Sequence, residues 1–461
     1  MEKPGKNLIW QPMAILLASV VFFSILSFLD YGKKKAHLGA KPVDLFSDLR
    51  FKRKIFNPPL PAPLFSEKEK DSLGLLFKTR DRLSVISFTE KKFGALEHFL
   101  KALEGLSSGQ RDKVRIAYFG DSMIEGDLLT MDLRSFFQKQ FGGNGVGFVP
   151  VTSIVAGFRS TIKHGFSKDW NAYHFNNIGG DAHPLGPSGY CFVPVGGSNV
   201  QYGSSGGPGP FRQVKIFFGP GEEPLFLKGK ADETEIAFTL EGDELINMTE
   251  LLGGNPASKI NLSFSGIPRN VYGFSFESPK GVFVDNYSFR GNSGLALTQI
   301  KRETFRAFDA HLDYKLIILH YGLNVVAHNT GNYSWYEKGL TNVVKHIKSC
   351  FPEASILLVS VNDKSYRGPE GWATEPDVPL LVETQKKVAR EEGIAFWNLY
   401  ENMGGYNSMV KWVEGDTVFA NKDYTHPNRR GGEKIAKMLY GRLMEQYGWY
   451  NEMKIISERL D

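Results

Sequence analysis

Side chains able to carry out acyl transfer occur at widely separated places in this sequence. Ser122 closes the stretch R-I-A-Y-F-G-D-S at 115–122. Ile116 to Phe119 form a short apolar run that reads as a buried strand. Gly126 and Asp127 then lead into Leu128, Leu129, Leu133, Phe136 and Phe137 at helical spacing. The pattern predicts Ser122 on a turn between a strand and a helix N-terminus, where backbone N–H groups point outward and the helix dipole favours negative charge. A serine oxygen there can attack a carbonyl while neighbouring amides receive the oxyanion. A plain turn uses the same residue types, so the tripeptide alone decides nothing. Asp423-Tyr424-Thr425-His426 supplies what Ser122 lacks. A histidine takes a serine proton only if something orients its ring, and a carboxylate three residues earlier does this across one turn of chain. No further His or carboxylate joins the pair at metal-ligand spacing. Two other segments offer oxyanion donors. In Arg290-Gly291-Asn292-Ser293-Gly294 the glycines bring backbone N–H groups close to a substrate. In His320-Tyr321-Gly322-Leu323-Asn324 the Asn amide is a side-chain donor.

The elements that must position these residues follow from periodicity. Residues 88–106 carry a helical pattern ahead of the first core strand. From 281 onward, apolar strands at 282–284, 315–320, 355–360 and 394–397 alternate with helices at 295–311, 333–350, 378–392 and 432–447. Strands buried on both faces and separated by helices imply a parallel sheet covered on both sides, with ligands beyond the carboxyl ends of the strands. Between the two parts the pattern changes. Residues 151–285 are rich in Gly, Ser, Asn and aromatics, with strand-like runs at 214–218, 235–240, 259–264 and 271–276. This predicts a β-sandwich of jelly-roll type. Trp170, Tyr173, Tyr190, Phe192 and Tyr202 are its candidates for stacking on sugar rings.

With 461 residues, two globular units plus an anchor are expected. The net charge of +5 is spread along the chain, which excludes a basic nucleic-acid-binding motif. Cys191 and Cys350 permit one disulfide but no framework and no zinc site. Residues 12–29 carry no charge and are long enough to span a bilayer; with no small-residue cleavage site evident after Leu29, they read as an uncleaved signal-anchor helix, the alternative being a cleaved signal peptide. Lys33 to Lys35, just beyond, count against an outward C-terminal body. Residues 36–70, with P-P-L-P-A-P at 58–63, read as an extended spacer.

The order Ser122, Gly294, Asn324 and Asp423–His426, each after a separate strand, resembles the SGNH (GDSL) family of serine hydrolases. The family blocks are G-D-S at 120–122, the glycine of N-S-G at 292–294, G-L-N at 322–324 and D-Y-T-H at 423–426. The third block is usually G-x-N-D; Val325 here replaces the Asp and leaves the amide donor intact. The resemblance covers residues 85–160 and 281–450. It implies an α/β fold with a flavodoxin-like parallel sheet and helices on both faces. Ser122, Asp423 and His426 would be the catalytic triad. The amides of Ser122 and Gly294 and the side chain of Asn324 would form the oxyanion hole. Gly120 and Asp121 would support the turn, and no metal or organic cofactor would be needed.

The flanks sharpen the resemblance. F-G-G-N-G-V-G-F-V-P at 141–150 and A-F-W-N-L-Y-E-N-M-G-G-Y-N-S-M-V-K-W at 395–412 are similar to peptidoglycan O-acetylesterases of Gram-negative bacteria. Those enzymes carry a carbohydrate-binding-module-like sandwich between the first and second blocks. The resemblance implies a domain plan of membrane anchor 1–35, linker 36–84, hydrolase 85–150, inserted sandwich 151–280 and hydrolase 281–450. It also implies a single-pass protein of the bacterial inner membrane with its catalytic domain in the periplasm. The implied substrate is O-acetylated peptidoglycan or another envelope polysaccharide. The alternatives are a polysaccharide O-acetyltransferase with the same triad and a non-catalytic wall-binding scaffold. The filled triad positions argue against the scaffold.

Overall fold

The computed structural model describes residues 84–88, 94–205 and 209–460. The anchor expected over 12–29 and the linker up to 83 lie outside the described residues. Among the described residues, no helix is long and apolar enough to cross a membrane.

Continuous apolar runs become the central sheet. Its strands are Ile86–Ser87, Ala395–Trp397, Ser355–Val359, Tyr314–His320, Lys113–Gly120 and Gly281–Ser288, in that spatial order. All neighbours are parallel except the short edge strand Ile86–Ser87, which runs antiparallel to Ala395–Trp397. The five parallel strands therefore follow the flavodoxin-like order 2-1-3-4-5. Lys113–Gly120 is the first of them and lies between the second and the third. Nearly every side chain on these strands is buried, because helices cover both faces. Glu97–Ser107, Thr130–Phe141 and Arg429–Leu460 pack on one another, as do Arg302–Leu312, Ser334–Cys350 and Val378–Glu391.

Four helical expectations differ in detail: the first helix begins at Glu97 within the expected 88–106, and the last runs Arg429–Leu460 beyond the expected 432–447. The helix expected over 295–311 is a short turn, Leu295–Gln299, followed by the helix Arg302–Leu312, with the chain extended at Ile300 and Lys301 between them. The expected helix start after Ser122 is also displaced. Residues Ser122–Asp127 form a short turn with Gly126 at φ 65° and Asp127 at φ 68°, and the α-helix begins at Thr130.

The Gly- and aromatic-rich stretch forms two antiparallel sheets. One has the order 234–242, 221–231, 259–266, 199–204 and 162–166. The other has the order 247–250, 213–218, 271–277, 190–194 and 170–174. The expected boundary at 150/151 does not coincide with a sheet boundary. Gly147–Pro150, assigned from sequence to the hydrolase part, pairs antiparallel with Gly273–Phe276 of the second sheet. Four residues of mixed Gly, Phe, Val and Pro carry too short a pattern to reveal which sheet they join.

Alternation explains how the second sheet is covered on both faces. Val214, Ile216 and Phe218 turn into the sandwich core. Phe217 between them turns into the core of the α/β body, with ring centroids 6.0 Å from Phe148 and 5.6 Å from Phe308. Tyr272 meets Phe308 edge-on at 5.2 Å. A buried ionic cluster sits on the same seam. Arg115 pairs with Asp285 at 2.8 Å and Glu277 at 2.5 Å, while Lys113 and Lys215 reach Glu277 at 2.6 and 3.2 Å. Burial alone would raise the Glu277 carboxyl, but Arg115, Lys215 and Lys113 hold it well below the usual carboxylate range. Cys191 and Cys350 are both buried and free, so the permitted disulfide does not form. Burial pushes their thiols up to about 12 and about 11.

Because the two layers share a core, Phe217→Ala should destabilise the whole body by about 3–5 kcal/mol in urea unfolding. A loss under about 1 kcal/mol would mean that the sandwich is packed as an independent module.

Candidate active site

The strand order sets the site. Ser122 follows the first parallel strand, Gly294 the second and Asn324 the third, so all three stand at the carboxyl edge where the order reverses. Ser122 is held there by its neighbours. Asp121 caps the turn by accepting the Met123 N–H at 3.0 Å, and Gly120 accepts the Phe289 N–H at 2.9 Å. A Cβ on Gly120 would lie 3.0 Å from Ile124 and 3.1 Å from the His320 carbonyl.

His426 arrives from the loop before the last helix. Its Nε2 lies 2.8 Å from Ser122 Oγ. Its Nδ1 lies 2.8 Å from Asp423 Oδ2. The hydrogen-bond network assigns the proton to Nδ1, which leaves the Nε2 lone pair facing the serine. Asp423 Oδ1 also accepts the N–H groups of Thr425 and His426, each at 3.0 Å. Partial burial would raise the Asp423 carboxyl, but these N–H groups and the imidazole lower it. Tyr424, at φ 52°, turns the chain so that Asp423 and His426 face each other.

The candidate oxyanion donors lie together but are engaged by protein acceptors. Asn324 Nδ2 donates to Asp121 Oδ2 at 3.0 Å and to the Asn292 carbonyl at 3.1 Å. The Gly294 N–H donates to Asn292 Oδ1 at 2.7 Å. Gly294 sits at φ 89°, and a Cβ there would come 2.7 Å from the Tyr321 ring. An oxyanion at this point would exchange with Asn292 and Asp121 for these donors. Burial pushes the Asp121 carboxyl up to about 6, against the opposing pull of the Met123 N–H, His426 and Asn324. Asp121 thus does more than hold the turn, because its second oxygen fixes the Asn324 amide.

Sequence reasoning missed four supports. Asn292 stands inside the second block, yet its role as acceptor for both donors depends on contacts 2 and 32 residues away. The hairpin Ser365–Gly368 and Gly371–Thr374 buttresses the loop that carries Asp423 and His426. There the Ser365 N–H donates to the Tyr424 carbonyl at 2.9 Å, and Trp372 stacks on Tyr424 with centroids 3.9 Å apart. Asn362 Nδ2 adds a bond to the Thr425 carbonyl at 3.1 Å. On the other side, Arg290 pairs with Glu125 of the serine turn through Nε at 2.9 Å. The repeated glycines and aromatics of these segments give no local signal of such pairings.

Residues 272–434 match the model of the GDSL-like lipase/acylhydrolase family. The match takes in Gly294, Asn324, Asp423 and His426, and Ser122 lies outside it. Among solved structures, a peptidoglycan O-acetylesterase aligns with a TM-score of 0.65 at 20% identity, over 79% of this chain and 99% of that one. That likeness is one of fold. An acetyl xylan esterase aligns with a TM-score of 0.27 at 17% identity, over 35% of this chain and 79% of its own. A family two carbohydrate esterase from Cellvibrio japonicus aligns with a TM-score of 0.24 at 8% identity, over 62% of this chain and 98% of its own. A comparison with curated proteins returned no match.

If the Asn324 amide serves an oxyanion, Asn324→Ala should raise the barrier by about 2.7–4 kcal/mol, carried by turnover. Steady-state kinetics on p-nitrophenyl acetate reads this out. A change confined to the Michaelis constant would contradict the role.

Proposed function

We propose that this chain, whose residues 272–434 match the model of the GDSL-like lipase/acylhydrolase family, is a serine esterase that removes O-acetyl groups from an envelope polysaccharide, peptidoglycan first among them. The observation that carries the reading is the unbroken hydrogen-bonded chain Ser122–His426–Asp423, at 2.8 Å for each link. Ser122 Oγ attacks the acetyl carbonyl as His426 Nε2 takes its proton. Asp423 stabilises the imidazolium that forms. The tetrahedral oxyanion is received by the donors gathered around Ser122, Gly294 and Asn324. His426 then returns the proton to the departing sugar oxygen, leaving an acetyl group on Ser122. A water molecule, deprotonated by the same Nε2, attacks that ester and releases acetate.

The acetylated glycan as substrate is supported by the fold shared with a peptidoglycan O-acetylesterase. The charge-free residues 12–29 support a membrane anchor. The bacterial inner membrane and a catalytic body on the envelope side are part of the proposal through the resemblance to envelope esterases, against the count of Lys33 to Lys35.

Acetate release from O-acetylated peptidoglycan and O-acetylated xylan, with and without a glycan acceptor, tests the reading. Wild type should release acetate from peptidoglycan faster than from xylan, with no diversion of acetyl groups to the acceptor. Ser122→Ala and His426→Ala should each lower turnover by several orders of magnitude. Acetyl groups appearing on the acceptor would make the enzyme a transferase. Near-wild-type rates in either folded variant would remove the triad assignment.

A further inference from the structure

The loop at 151–161, which opens the inserted sandwich, is fastened to the turn that carries Ser122. Asp127 ends that turn and is fully enclosed. It pairs with Arg134 at 2.8 Å, and its Oδ2 receives Thr161 Oγ1 at 2.7 Å and Arg159 at 3.5 Å. The Arg159 side chain is only 9% exposed and also reaches the Val146 carbonyl at 3.4 Å. Burial would raise the Asp127 carboxyl, but Arg134 and Arg159 hold it well below the usual range, so this clamp is ionic at any physiological pH.

The clamp brings Phe158 against the serine turn. A Cβ built on Gly126 would come 3.5 Å from Phe158 Cβ and 3.8 Å from its carbonyl group. Yet the Phe158 residue is 81% exposed, and Ile154 in the same loop is 79% exposed. These are the most exposed large apolar residues among those described. A phenyl ring left in water contributes nothing to folding, and the loop that carries it is anchored to the serine turn at Arg159 and Thr161. The sandwich aromatics singled out from sequence are otherwise occupied. Phe192 and Tyr202 are core, Trp170 packs edge-on against Phe264 at 4.9 Å, Tyr173 stacks on His183 at 4.1 Å and Tyr190 on Phe192 at 5.5 Å.

We propose that Phe158 is the platform on which a pyranose ring of the glycan rests while an acetyl group of that glycan reacts at Ser122, with Ile154 extending the same apolar surface. The proposal rests on the esterase reading for its substrate class. The ring's negative face suits the row of axial C–H groups on a β-1,4-linked pyranose, and the ring stands beside Gly126 on the turn that carries Ser122. Binding energy gained there, away from the reacting carbonyl, serves a polymer and not a small ester.

The test uses the full-length protein with Phe158→Ala and Phe158→Trp, and reads two quantities. The first is calorimetric binding of the β-1,4-linked N-acetylglucosamine tetramer, which carries no O-acetyl group. Phe158→Ala should weaken it about tenfold, and Phe158→Trp should hold or tighten it. The second is the ratio of kcat/KM on O-acetylated peptidoglycan to kcat/KM on p-nitrophenyl acetate. That ratio should fall about tenfold in Phe158→Ala, through KM for the polymer. Wild-type protein that does not bind the tetramer, a Phe158→Ala variant that binds it as wild type does, or equal losses on both substrates would each overturn the platform. If wild type releases no acetate while tetramer binding still depends on Phe158, the esterase reading falls and the platform stands.

Discussion

The hydrogen bond from Ser122 to His426 joins residues 304 apart in sequence, and every layer of the structure bears on it. It requires the strand Lys113–Gly120 to end beside the strands Gly281–Ser288 and Tyr314–His320, so that the first turn of the sheet opens at the point where strand order reverses. It also requires the loop before Arg429–Leu460 to return over that edge. The hairpin at 365–374 and Asn362 hold the loop down by backbone bonds and by the Trp372–Tyr424 stack. Neither Ser122 nor His426 is placed by its own neighbours alone.

The inserted sandwich belongs to this same mechanical system. Its second sheet has two apolar faces, one for its partner sheet and one for the α/β body. Arg115, on the strand that leads to Ser122, is neutralised half by Asp285 of the body and half by Glu277 of the sandwich. Removing Arg115 would leave the buried Asp285 carboxylate without its ionic partner and weaken the pairing of Glu277, which is far costlier than the pair is stabilising. Asp127 repeats the device closer to the serine, joining the turn to Arg134 of the body and Arg159 of the sandwich. The turn that carries Ser122 is therefore braced from both sides.

The sheet was legible in the sequence because strands buried on both faces are uninterrupted apolar runs, as at 316–319 and 356–359. The juxtaposition of Ser122, His426 and Asp423 was legible because Asp423 and His426 stand three residues apart and Ser122 sits between a strand and a turn. The hairpin at 365–374 was not, since Arg367, Gly368 and Gly371 carry no alternation to mark strands. The role of Asn292 and the engagement of Asn324 by Asp121 were hidden for a different reason: they are tertiary contacts that no local pattern encodes. Phe158 was overlooked because exposure, unlike periodicity, is a property of the fold. The same separation explains why residues 272–434 match a family model while Ser122 lies outside it. The chain leaves the α/β body for the sandwich before the remaining blocks appear.

The central claim is that His426 activates Ser122 as a nucleophile. Reaction with an alkyl fluorophosphonate, followed by peptide mass spectrometry, tests it directly. Wild type should gain a single adduct on the peptide containing Ser122, and His426→Ala should gain none on the same timescale. Labelling at another serine, or labelling of Ser122 that is indifferent to the loss of His426, would contradict the claim.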